Sequence, residues 1–160
     1  MIKISIVCVG RIKEKYWTGA IDEYSKRLSR YCKLEIVELQ DEKTPDGASD
    51  AMCDQIKKKE AERILSKLDD KALVCTLEIK GKKYTSESFS QFIEQSASKG
   101  ISHIQFVIGG SLGLHESVLR RSDMGISFSD MTFPHQLMRV ILLEQIYRAF
   151  RIIAKEPYHK

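Results

Sequence analysis

Short apolar stretches in this chain alternate with segments whose apolar residues recur every three or four positions, and that alternation confines it to the α/β class. Ile4, Ile6 and Cys8 interleave with Ser5, Val7 and Val9 up to Gly10, the pattern of a mostly buried strand stopped by a turn residue. From Glu14 to Tyr31 the set Trp17, Ala20, Ile21, Tyr24, Leu28 and Tyr31 makes one helical stripe, and Leu34 to Leu39 returns to a strand. Asp41 to Gly47 is rich in charge and turn formers. A helix is predicted from Ala51 to Leu68, with Ile56, Ile64, Leu65 and Leu68 inward and Lys57-Lys58-Lys59-Glu60 on a solvated face. A strand over Ala72–Ile79 runs into Glu78-Ile79-Lys80-Gly81. Ser86 then caps a helix carrying Phe89, Phe92 and Ile93, which Gly100 closes. Ile104–Ile108, Leu114–Arg121 and Met124–Phe128 are expected as strand, short helix and strand. Pro134 starts a last helix with Leu137, Met138, Ile141, Leu142, Ile146, Ala149, Phe150 and Ile153 on a wide apolar face.

Such an order implies a parallel sheet covered by helices on both faces, where ligands sit beyond the carboxyl ends of the strands. Three loops are singled out: those after Leu77, Ile108 and Phe128. A length of 160 residues suits one core, so residues 1–160 are expected to form one domain. With 42% hydrophobic and 30% charged residues, and no run long enough to span a bilayer, disorder and membrane insertion are poor descriptions. The N-terminal segment has no small-residue cleavage site and reads as a first strand. Cys8, Cys32, Cys53 and Cys75 are widely spaced, which fits reduced thiols in a cytoplasmic protein and suggests neither a disulfide framework nor a zinc site.

Charge is distributed unevenly. The net charge is only +4, yet the last helix and tail carry Arg139, Arg148, Arg151, Lys155 and Lys160 against Glu144 and Glu156, a basic end compatible with RNA.

Among the loops, Ile108-Gly109-Gly110-Ser111-Leu112-Gly113 lets backbone approach a ligand closely at a helix start. It lacks the G-x-G-x-x-G spacing and the Lys-Ser/Thr ending of phosphate loops, which disfavours dinucleotides and nucleoside triphosphates. Alone, it suits a tight turn as well as a ligand loop. Phe128-Ser129-Asp130-Met131-Thr132-Phe133-Pro134-His135-Gln136 passes from strand to helix through polar residues that bond backbone. It suits either a hydrophobic plug or a wrap around a small molecule, with backbone meeting adenine edges and Met131, Phe133 and Leu114 as walls. Of the histidines, His103 is expected at the surface, His115 as a helix cap or ligand contact, and His135 in a structural role. The final Tyr158-His159-Lys160, stiffened by Pro157, offers an aromatic face, an imidazole and a cation; as composition it also describes a frayed tail.

Taken together, Val107-Ile108-Gly109-Gly110-Ser111, the run from Phe128 to Arg139, Glu144-Gln145-Ile146-Tyr147-Arg148-Ala149-Phe150 and Tyr158-His159-Lys160 resemble the bacterial ribosomal RNA large subunit methyltransferase H family. Val9-Gly10-Arg11-Ile12-Lys13-Glu14-Lys15-Tyr16-Trp17 and Leu77-Glu78-Ile79-Lys80-Gly81 extend the similarity over essentially the whole chain. The resemblance implies the SPOUT class: a C-terminal trefoil knot, a homodimer, and S-adenosyl-L-methionine held by the knot loops. The implied substrate is N3 of a pseudouridine in helix 69 of 23S ribosomal RNA on assembled ribosomes. Cofactor contacts carried over by motif fall on Leu77, Gly109, Phe128, Ser129, Asp130, Met131, Thr132 and Phe133, with no metal. Candidate catalytic residues are His159 as base, with Arg139, Lys160 or Tyr158 holding the edge of the target base. Two positions depart from the family pattern: Leu112 replaces a frequent polar residue, and Lys155 a frequent glycine. Other outcomes consistent with the fold are a SPOUT enzyme for another ribosomal or transfer RNA site, or a noncatalytic ribosome-binding factor.

Overall fold

A computed structural model describes all 160 residues. The elements follow in the order β1 (Lys3–Val9), α1 (Lys15–Leu28), β2 (Lys33–Leu39), α2 (Asp50–Leu65), β3 (Leu73–Lys83), α3 (Ser86–Ser98), β4 (His103–Ile108), α4 (Glu116–Arg121), β5 (Met124–Ser127) and α5 (His135–Ile153). All five strands are parallel, in the order β2-β1-β4-β3-β5.

The two-residue period of a strand sends alternate side chains to opposite faces, and the predicted alternation is realised. Ile4, Ile6 and Cys8 of β1 join Ile104, Phe106 and Ile108 of β4 in a large core closed by Leu28 of α1, Phe89 and Ile93 of α3, and Leu142, Ile146 and Phe150 of α5. Val7, Val9 and Val107 point the other way, against Ala61 and Ile64 of α2 and Val118 of α4. Helices therefore cover both faces. No helix is long and apolar enough to cross a membrane.

Several boundaries differ from the sequence expectation, each for a local reason. Strand β3 does not stop at Ile79. It breaks register between Leu77 and Lys82, then pairs again with Ile126 and Ser127 of β5. Gly81 permits this return, because a Cβ there would lie 2.6 Å from the Gly125 backbone and 2.7 Å from the Ile126 nitrogen. Helix α3 is capped by Thr85 rather than Ser86: Thr85 Oγ1 accepts from the Ser88 nitrogen while Ser88 Oγ accepts from the Thr85 nitrogen. Pro134 is the cap of α5, whose first helical residue is His135. Ser29–Tyr31 lie beyond the end of α1. Glu60, expected on a solvated face, is 5% exposed, and His103, expected at the surface, packs its ring against β1 with Nε2 2.7 Å from Ser5 Oγ.

Candidate functional site

The three loops named from topology converge at one end of the sheet. Between them lies a cavity of about 370 Å³, reached by Leu77, Glu78 and Ile79 from the β3 break, Ile108–Leu114 after β4, and Phe128, Ser129 and Met131–Phe133 after β5, with His135 and Met138 of α5 behind. Its walls are mostly apolar and no lysine or arginine is among them. That lining offers no cationic side chain to a string of phosphates and suits an uncharged ring system with a positively charged end near Glu78.

Glycine shapes the cavity. A Cβ on Gly109 would sit 2.9 Å from Leu114 Cδ2 and 3.1 Å from the Gly113 carbonyl oxygen, so the folded-over loop 109–113 needs a bare backbone there. The loop rests on Glu60, whose carboxylate lies 3.1 Å from where a Gly110 Cβ would stand and accepts from the Glu42 nitrogen. Burial raises the Glu60 pKa, and this backbone hydrogen bond offsets part of the rise. Glu60 was missed because its neighbours Lys57, Lys58 and Lys59 disguise one inward position in a charged run. Glu78 was missed as well; its Oε2 accepts from Thr76 Oγ1 at 2.6 Å, and the signal that would have found it is an acid at the carboxyl end of a buried strand.

Of the residues carried over by motif, Leu77, Gly109, Phe128, Ser129, Met131, Thr132 and Phe133 all line the cavity. Asp130 does not: its carboxylate turns to Lys83 Nζ at 2.7 Å, in a well-exposed pair at the rim. Ser129 Oγ accepts from the Met131 nitrogen and holds the turn in shape, while Met131 is 74% exposed at the mouth. His115 caps α4, its Nδ1 accepting from the Ser117 nitrogen.

The four candidate catalytic residues are not brought together in this cavity. Arg139 is 1% exposed beneath the β1 terminus, where it donates to the Val9 and Gly10 carbonyls and pairs with Glu38 at 2.7 Å. Tyr158 stands edge-on to Tyr147, with ring centroids 4.9 Å apart, and donates to Glu144. Burial, helped by that hydrogen bond, pushes its phenol up to about 12, so at neutral pH it is a donor and not a base. His159 bridges α3 and α5, with Nε2 2.7 Å from Glu87 and Nδ1 3.2 Å from Arg148. Lys160 is exposed at the chain end. The three buried thiols are unsuited to nucleophilic work, since burial pushes Cys8 up to about 11 and Cys32 and Cys75 to about 12.

A family model described as "Predicted SPOUT methyltransferase" matches residues 2–159. The ribosomal RNA large subunit methyltransferase H of Bifidobacterium animalis subsp. lactis is 62% identical over 159 residues, 99% of this chain and 100% of that protein. The chain belongs to this methyltransferase family. A second member, ribosomal RNA large subunit methyltransferase H 1 of Clostridium perfringens, is 60% identical with the same coverage. Among solved structures, the tRNA (m1G37) methyltransferase of Aquifex aeolicus superposes with a TM-score of 0.58 at 15% identity, over 99% of this chain and 74% of that one, a likeness of fold. The cavity framed by the glycine loop and the turn 128–133 therefore lies in a chain of the SPOUT methyltransferase family.

Proposed function

We propose that this protein is a cytoplasmic enzyme that methylates N3 of a pseudouridine in helix 69 of 23S ribosomal RNA on assembled ribosomes, using S-adenosyl-L-methionine. It would work as a homodimer with the C-terminal segment threaded as a trefoil knot. The observation that carries the reading is the cation-free, glycine-folded cavity at the β3, β4 and β5 termini, in a chain 60 to 62% identical to proteins bearing the ribosomal RNA methyltransferase name.

The cavity fits the cofactor on its own terms. Backbone of 109–113 and 128–133 would meet the adenine edge, Leu77, Leu114 and Phe133 would sandwich its faces, and Glu78 would face the hydroxyl or ammonium groups. S-adenosyl-L-methionine supplies an electrophilic methyl group on a sulfonium. The protein must align the nucleophile with it, since a good leaving group leaves little covalent work to do. Imide N3 of the target is protonated at neutral pH; as the N3–methyl bond forms and the sulfur–methyl bond breaks, that proton must pass to a base. His159 is the proposed base, with Lys160 and the Tyr158 hydroxyl stabilising charge on the flanking carbonyls. Because Tyr158 and His159 are tied to Glu144 and Glu87 outside the cavity, we assign their action to the pocket of the second copy. Arg139 would contribute from beneath, by fixing the Gly10 carbonyl and the floor under His135.

Incubation with labelled S-adenosyl-L-methionine and unmethylated ribosomes, free 23S RNA or transfer RNA, followed by mapping of the labelled nucleotide, tests this. Label in helix 69 of whole ribosomes is expected. Label confined to transfer RNA would redirect the substrate, and no cofactor binding by calorimetry would leave a noncatalytic ribosome-binding factor.

A further inference from the structure

Beside the methyl-transfer cavity, at the carboxyl ends of β1 and β2, runs a larger cleft of about 690 Å³ with no apolar residue in its lining. Arg11, Lys13 and Glu14 from the β1–α1 segment, Gln40 and Asp41 from the chain after β2, and His135 and Gln136 from the start of α5 line it. His135 lines both this cleft and the methyl-transfer cavity, and its buried Nδ1 has no hydrogen-bond partner. The two spaces therefore meet at one imidazole.

The loop carrying the cations is fixed. Gly10 donates its amide to the Leu39 carbonyl, and Ile12 donates to Glu38, the same carboxylate that takes Arg139. Helix α1 begins at Lys15. Yet the side chains of Arg11, Lys13 and Lys15 enter none of the protein's ion pairs. Directly after them comes an aromatic pair, Tyr16 edge-on to Trp17 at 5.1 Å, with Tyr16 68% exposed. Unpaired cations on a rigid base, an exposed ring, and amide and carboxylate groups able to read a base edge are the ingredients of a single-strand nucleic-acid groove.

We infer that the Gly10–Trp17 segment and this cleft form the RNA-binding groove, which grips a looped-out strand by its phosphates and delivers the target base past His135 to the methyl group. The inference rests on the methyltransferase function proposed above. Arg11, Lys13 and Lys15 hold backbone phosphates, Tyr16 offers a stacking face, and Asp41 and Gln136 accept and donate to a base edge. Glu14 and Asp41 keep the cleft from being uniformly positive, which favours a strand with exposed base edges over bare duplex backbone. His135 is the positioning group at the junction.

The test is binding of unmethylated ribosomes at several salt concentrations by the intact protein, its Arg11→Ala/Lys13→Ala variant, and a Lys67→Ala/Lys71→Ala control at the amino end of the sheet, opposite the cleft. Loss of two phosphate contacts flattens the slope of log affinity against log salt by roughly 1.4 to 1.8 and weakens binding on the order of tenfold or more at moderate salt. The control keeps the parent slope, and all three bind S-adenosyl-L-methionine alike by calorimetry. A groove variant with the parent slope and affinity overturns the inference while methylation by the parent enzyme leaves the function standing. A change in sedimented mass in place of a change in slope overturns it too, by making the cleft a contact between copies. A parent protein that neither binds nor methylates ribosomes removes both.

Discussion

Two basic regions of this molecule look alike in sequence and differ in what their charges do. At the C-terminal end, Arg139, Arg148 and Arg151 are spent inside the protein on Glu38, Glu144 and Glu156. At the β1–α1 loop, Arg11 and Lys13 border an open polar cleft and, like Lys15 at the start of α1, have no acidic partner. A count of basic residues points to the first region as the RNA contact, whereas the structure pairs all three of its arginines, leaving only Lys155 and Lys160 free there, and sets unpaired cations on a polar cleft at the second. The lesson is that charge available to a polyanion is what remains after internal pairing. An arginine on a helix that packs into the core usually finds its carboxylate at home, while a lysine on a tight surface loop faces water.

The strongest way to break this comparison is at Arg139. If its guanidinium is structural, Arg139→Met strands two buried carbonyls and the Glu38 carboxylate, at a cost of roughly 3 kcal/mol. For a chain of this size that corresponds to a fall in melting temperature of about 6–12 °C, read by calorimetry. A variant as stable as the parent would show that the buried guanidinium is not needed for folding, and would move Arg139 from the scaffold to the reaction.

A smaller effect is expected one layer out. Glu144 binds Arg148 at 2.7 Å and accepts from the Tyr158 hydroxyl at 2.9 Å, so it ties the tail to α5. Glu144→Gln keeps the shape but removes the charge, and is expected to cost about 1–2 kcal/mol while freeing residues 157–160 to proteolysis. The readouts are denaturant unfolding and the rate of C-terminal clipping. Unchanged clipping would mean that the ring of Tyr158, stacked edge-on to Tyr147 and covered by the Arg148 guanidinium, holds the tail without the carboxylate.

How much of this was legible in advance depends on the range of the interaction. The strands and the two-faced sheet follow from period-two and period-3.6 patterns, which are local, and Ile4, Ile6, Cys8 against Val7, Val9 resolve into two cores as the pattern says. The three loops after Leu77, Ile108 and Phe128 follow from topology and do line one cavity. What stayed hidden depends on partners far apart in sequence. The return of β3 after Gly81 requires Gly125 and Ile126, the burial of Glu60 requires the loop at Gly110, and His103 is drawn inward by Ser5. Arg139 was singled out by motif, but its burial required Glu38, a hundred and one residues away. The capping box at Thr85 was missed for a different reason: serine stands at the third position where glutamate is the usual signature.

The smallest effect sits at the hinge between helix and tail. Helix α5 ends with the Lys155 nitrogen donating to the Ile152 carbonyl and the Glu156 nitrogen to the Arg151 carbonyl, the paired bonds of a Schellman motif. That motif places its turning residue in the left-handed region, and Lys155 adopts φ of 56°, the one residue other than glycine to do so in this chain. A side chain there costs about 1 kcal/mol relative to glycine, which explains why a glycine suits the position. The lysine recovers part of that cost by restricting the unfolded chain. Lys155→Gly is therefore expected to raise stability by a few tenths of a kcal/mol up to about 1 kcal/mol, without changing the salt dependence of ribosome binding. Lys155 belongs to the C-terminal end but has no acidic partner, so it separates charge from location. A flattened salt slope on its removal would return RNA contact to the C-terminal end, and an unchanged slope would leave it with the β1–α1 loop.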